Sequence, residues 1–161
     1  MFAVVNGTNY ITLVGATAGS VLTERFNADT GLRDTTYGPL KGAGPDHQSW
    51  SLGPSGTAYA ATLDTVVNQV VISGSGGTND FLVARFNNND GTLDTTFGSG
   101  GSIKIDFGTT LGVTTDGARS IMMRLNSDSS VDILVAGYTL VGGKYKIALV
   151  DLLDNHTFEV T

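Results

Sequence analysis

The segments Arg25-Phe26-Asn27, Gly31 and Asp34-Thr35-Thr36-Tyr37-Gly38 return in the same order and spacing as Arg85-Phe86-Asn87, Gly91 and Asp94-Thr95-Thr96-Phe97-Gly98. Asp34 and Asp94 stand 60 positions apart, and self-similarity at a fixed period marks a chain built from copies of one supersecondary unit. Upstream of each copy runs a β-rich stretch ending in glycine: Tyr10-Ile11-Thr12-Leu13-Val14-Gly15, then Gln69-Val70-Val71-Ile72-Ser73-Gly74. A third such stretch, Asp132-Ile133-Leu134-Val135-Ala136-Gly137, follows later. A unit of this size cannot bury its apolar face alone, so the copies must cover one another.

Each of these runs follows a turn and another strand: 2–5 with Asn6-Gly7, 58–63 with Asp64-Thr65, and 118–125 with Asn126-Ser127-Asp128. Asn-Gly between β-branched runs favours a tight hairpin, because both central residues of a type I′ turn need positive φ. Third strands are expected at 20–26, 81–86 and 145–150, and a fourth, weaker strand near 34–37 or 94–97. The expected fold is all-β: antiparallel four-stranded blade repeats, β-propeller-like, in one repeat domain of about three blades at 1–50, 51–112 and 113–161. A β-sandwich of the same hairpins is the alternative. A propeller closes with 4 to 8 blades, so about three must be completed by a homo-oligomer or by further blades of a parent chain.

Composition agrees with this architecture. In 161 residues, 40% hydrophobic content fills a core, while a charged fraction of 15% and 22 glycines favour short strands and turns over charged helices. The net charge of −6 repels phosphate backbones and anionic lipid, which argues against nucleic acid and membrane insertion. Cysteine is absent, so thiol chemistry and thiolate metal sites drop out. The uncharged first 23 residues include Ala16-Thr17-Ala18, but they lack a basic start and match later repeats, so they read as strands rather than a signal peptide.

The blocks Phe81-Leu82-Val83-Ala84-Arg85-Phe86-Asn87, Asp90-Gly91-Thr92-Leu93-Asp94-Thr95-Thr96-Phe97-Gly98 and Ile133-Leu134-Val135-Ala136-Gly137 resemble the delta-60 repeat, a propeller-type repeat of bacterial surface or secreted proteins. The resemblance implies a location that is extracellular or at a cell or virion surface. In the third copy it degrades: Leu149-Val150-Asp151 replaces Arg-Phe-Asn, and Asp154-Asn155-His156-Thr157-Phe158 replaces the Asp-Thr-Thr-Phe turn.

Four residues belong to the repeat motif itself. Arg25 with Asp34, and Arg85 with Asp94, are expected to form a structural ion pair fixing the third strand to the fourth. The oxygen-rich loop 87–94 looks like a calcium loop but lacks the EF-hand spacing, and an Asx-turn with positive φ at Gly91 explains the same residues. The segment 39–54 departs most from the repeat and carries Asp46, His47 and Trp50. With Tyr59 these form a weak ligand-binding candidate, in which Trp50 and Tyr59 would stack on a glycan. Ser49, His47 and Asp46 are too close in sequence to set up a nucleophile, base and orienter. Two histidines without a metal spacing give no reason to expect a cofactor. The leading expectation is therefore a non-catalytic structural or interaction module that self-associates through incomplete blades. The alternatives are a glycan-binding propeller module and, least favoured, a propeller hydrolase or lyase.

Overall fold

The computed structural model describes residues 2–6, 10–17, 19–38, 50–77, 79–107, 115–153 and 158–160. Its regular structure is all strand: β1 (Phe2–Asn6), β2 (Tyr10–Thr17), β3 (Ser20–Asn27), β4 (Trp50–Asp64), β5 (Gln69–Gly76), β6 (Phe81–Asn87), β7 (Ser102–Ile105), β8 (Asp116–Leu125), β9 (Val131–Val141), β10 (Lys144–Leu152) and β11 (Phe158–Val160). Every strand pairs antiparallel with its sequence neighbour in two sheets, β1 to β7 in order and β8 to β11 in order. Such a meander is what a chain of hairpins produces.

The seven-stranded sheet holds two blades joined through β4. Its N-terminal part, from Trp50 to Ser55, pairs with β3, and its C-terminal part, from Gly56 to Asp64, pairs with β5. One strand is thus the last of the first blade and the first of the second, the outer-to-inner passage of a propeller. In the second part of β4 and in β8 one residue is extra. Ala58 pairs with Gly74 and Ala60 with Ser73, while Ala118 pairs with Gly137 and Ser120 with Ala136. Tyr59 and Arg119 are the bulged residues. The repeat glycines lie opposite these bulges because a Cβ on Gly74 would strike the Thr57 carbonyl, and one on Gly137 the Gly117 carbonyl.

Period-2 alternation sends one set of side chains toward the next blade, here the forward face, and the other set back. Val14 and Val21 on the forward face of the first blade pack on Ala58, Val70, Ile72, Leu82, Ala84 and Phe86 of the second. The second blade's forward face, with Val71, Phe81, Val83, Phe97, Ile105 and Phe107, meets Ala118, Ile133, Val135, Ala148, Val150 and Leu152 of the third. Phe81 and Phe107 cross edge to face at 5.0 Å. At about 1.5–3 kcal/mol for each fully buried large apolar side chain, these faces supply the docking energy, and polar contacts fix the register.

The fourth strand differs from expectation. Residues 34–37 and 94–97 form turns, which follow the isolated bridges Phe26 to Arg33 and Phe86 to Leu93 and meet the sheet where the Asp34 and Asp94 amides donate to the Arg25 and Arg85 carbonyls. The reason is local. The Asp34 and Asp94 carboxylates each accept from the amide and hydroxyl of the threonine two residues on, which curls the backbone. The fourth strands lie further along, at the start of β4 and at β7.

Candidate functional site

The repeat motif does more than join a strand to a turn. Arg25 is buried, its Nε donates to Asp34 Oδ2 at 2.7 Å and its Nη2 lies 2.6 Å from the same oxygen. The far side of the guanidinium reaches the next blade, donating from Nη1 to the Asn88 carbonyl and from Nη2 to the Asn89 carbonyl at 3.1 Å. Tyr10 and Tyr37 enclose its plane, with ring centroids 4.5 and 4.6 Å from Cζ. Tyr37 lies against Gly91, where a Cβ would stand 2.7 Å from the ring, and Gly38 N–H donates to the Asp90 carbonyl at 2.7 Å. The first blade therefore grips the turn 88–91 of the second.

That turn holds itself in shape. Asp90 Oδ1 accepts from the amide and hydroxyl of Thr92, Asn87 Nδ2 donates to Thr92 Oγ1, and Gly91 adopts φ +74°. The Asp90 carboxylate of this calcium-like loop is thus engaged in an Asx-turn with Thr92.

One blade later the same residue type meets a different neighbour. Arg85 donates from Nε to Asp94 Oδ2 at 2.8 Å, its Nη2 lies 2.7 Å from that oxygen, and its Cζ sits 4.7 Å from the Phe97 centroid. By the repeat, Leu152 and Leu153 of the third blade occupy the places of Asn88 and Asn89. Here a cavity of about 200 Å³ separates Arg85 and Phe97 from Val131, Ile133, Leu152 and Leu153. The ion pair within the blade is preserved and the grip on the next blade is open. Burial pushes the Asp94 carboxyl up, but hydrogen bonds from Thr96 and Gln69 and the charge of Arg85 outweigh it and bring its pKa down to about 2. Asp34 is lowered by the same balance, with burial opposed by Thr36 and Arg25.

The forward face of the third blade has no described element over it. Ile147 is 90% exposed, Tyr145 71%, Met122 56% and Leu149 41%. Their counterparts one unit earlier, Val83 for Ile147 and Phe81 for Tyr145, are fully buried against the third blade. Leu149 stands where Arg25 and Arg85 stand. Charged residues gather at one end of this face, where Arg124 bonds Asp132 and Asp151 at 2.5 and 2.7 Å. At the opposite end of the molecule Ile11, Leu13, Leu22 and Phe26 are half-buried, while their counterparts Val70, Ile72, Leu82 and Phe86 are closed off by the first blade.

The ligand candidates drawn from sequence fare as follows. Asp46 and His47 lie outside the described residues. Trp50 begins β4, where its backbone pairs with Glu24. Tyr59 lies nine residues further along the same strand, roughly 20–30 Å away at about 3.3 Å per residue, so the two do not share a single stacking platform. The Tyr59 ring is instead covered by Arg119, whose Cζ is 3.9 Å from its centroid. Arg119 also donates to Tyr138 Oη at 3.2 Å, and Tyr138 meets Tyr145 edge to face at 5.3 Å. Sequence reasoning missed this chain of bulge residue to bulge residue, whose signal was the 60-residue spacing of Tyr59 and Arg119. It also missed a carboxylate group formed by Asp80, Asp106 and Asp116.

Among known proteins, residues 68–97 match a family described as a domain of unknown function (DUF5122), β-propeller. The matched stretch runs from the second hairpin through the Arg85 to Phe97 motif. No curated protein and no solved structure matches the chain significantly.

Proposed function

We propose that this chain is a non-catalytic interaction module of delta-60-type repeats that self-associates by stacking the forward face of its third blade on the back face of the first blade of a second copy. The carrying observation is the exposure of Ile147 and Tyr145, whose counterparts one blade earlier, Val83 and Phe81, are fully buried, with Met122 and Leu149 exposed beside them on the same face. A contiguous apolar face of this kind is a partner surface rather than an ordinary solvent face. The repeat supplies the complement: Ile11, Leu13, Leu22 and Phe26 occupy the positions that, in the second blade, receive a forward face. The contact joins two different surfaces, so copies close into a ring where the rotation permits and otherwise extend into a filament. Such an assembly suits an extracellular or cell-surface setting. Glycan stacking finds less support, because Tyr59 already carries Arg119 on its ring.

Light scattering behind size exclusion, across a dilution series, tests the reading. The wild-type chain is expected to run as a dimer or larger species that dissociates on dilution, and Ile147→Lys as a folded monomer. A wild-type chain that stays monomeric at high concentration overturns it.

A further inference from the structure

We infer that Asp80, Asp106 and Asp116 form a binding site for a divalent cation, calcium by its chemistry, which pins the third blade to the second. The three residues come from separate stretches: Asp80 precedes β6, Asp106 follows β7, and Asp116 opens β8. One carboxylate oxygen from each lies within 4.8 Å of the others. Ligands 2.3–2.6 Å from a common ion can stand no more than about 5 Å apart, so the spacing fits one shared ion.

A cluster of carboxylates is common on protein surfaces and by itself indicates nothing; Asp116 distinguishes this one. It is only 2% exposed. Its Oδ2 accepts from the Phe107 amide at 3.0 Å, whereas its Oδ1 is closed off from solvent and has no hydrogen-bond partner. A buried carboxylate oxygen without a donor loses its hydration with nothing in return. A cation at this point supplies the missing partner to the buried Asp116 carboxylate.

The donor set selects the metal class. Three carboxylates with no nitrogen or sulfur favour a hard cation. Calcium accepts 6–8 oxygens in flexible geometry, whereas magnesium demands a near-ideal octahedron. The backbone is already drawn together at this point, since Asp116 N–H donates to the Asn79 carbonyl at 2.6 Å and Gly76 N–H to the Asp80 carbonyl at 2.8 Å. Asp80 and Asp116 are not carried by the repeat, since the positions sixty residues before them are Ser20 and Gly56. Among the described residues, the interface that lacks the arginine grip is the one with the acidic cluster.

The test uses the full chain stripped with chelator. Calorimetric titration with calcium chloride is expected to give one saturable event per chain, with magnesium at least tenfold weaker, and millimolar calcium is expected to raise the unfolding midpoint by several degrees. Asp116→Asn is expected to lose both effects. Because a substitution at buried Asp116 also tests folding, Asp106→Asn, at an exposed position, provides the second test and is expected to weaken binding at least tenfold. Asp29→Asn, exposed and remote in the first blade, is expected to bind as wild type does. No heat and no midpoint shift in the wild type, or binding retained unchanged in Asp106→Asn, overturns the inference.

Discussion

The two blade interfaces are built from the same repeat and closed in different ways. At the first, among the described residues, Val14 and Val21 meet an aliphatic face with Phe86, and Arg25 reaches across to two backbone carbonyls while Tyr37 lies over Gly91. At the second, an aromatic and aliphatic core with Phe81, Phe97 and Phe107 is buried, Arg85 meets Asp94 and Phe97 of its own blade, and a cavity stands where the grip would be. The difference teaches that the motif has two separable functions. The pairing of arginine with aspartate shapes its own blade, and the grip on the next blade depends on that blade keeping an Asn-Asn-Asp-Gly turn. The third blade has Leu152 and Leu153 at the first two of those positions.

Substituting the two arginines separates these functions most strongly. Arg25→Met leaves Asp34 and two carbonyls without their partner and is expected to cost about 3–5 kcal/mol in chemical denaturation, the range for breaking a buried pair. Arg85→Met faces the cavity and is expected to cost about half as much. Equal losses would erase the distinction between the interfaces.

The equivalent glycines give a smaller contrast. Gly31 and Gly91 both have positive φ, +67° and +74°, so alanine at either position is strained by about 1 kcal/mol. A Cβ at Gly31 meets nothing within 4 Å, while one at Gly91 stands 2.7 Å from the Tyr37 ring. Gly91→Ala is therefore expected to destabilise by about 2–3 kcal/mol and Gly31→Ala by about 1 kcal/mol, with unfolding midpoints as the readout.

Acid provides the mildest probe. Asp94 titrates near pH 2 in the folded chain, below its ordinary 3.8, and Asp34 is lowered too. A carboxyl depressed by folding contributes stability that is complete above its unfolded pKa and is lost as pH falls through the folded one. Stability is therefore expected to decline between about pH 4 and pH 2. In Asp94→Asn the slope across that window should be shallower, and an unchanged slope would remove Asp94 from the account.

Much of the fold can be read from the sequence because its signals are local. Hairpins such as β5 with β6 are marked by alternation, turn residues and the repeat. The fourth strand was misread because Asp34 and Asp94 look like strand residues beside an arginine partner, whereas their carboxylates fold the backbone into a turn around Thr36 and Thr96. The alternating Ser102-Ile103-Lys104-Ile105 was the signal for β7. The candidate sites were less legible, since they depend on packing between blades. Nothing local ties Arg25 to Asn88, 63 residues away, or brings Asp80, Asp106 and Asp116 together.

The central claim is that the third blade's forward face receives the first blade's back face of another copy, and the absence of cysteine from the chain permits a direct measurement. One preparation carries Ile147→Cys on the forward face and a second carries Leu22→Cys on the back face. They are treated with a short bismaleimide separately and after mixing. A covalent dimer that forms only in the mixture is the predicted result. Cross-linking of the Ile147→Cys chain with itself, or no cross-link in the mixture at concentrations where the wild type self-associates, would contradict the account.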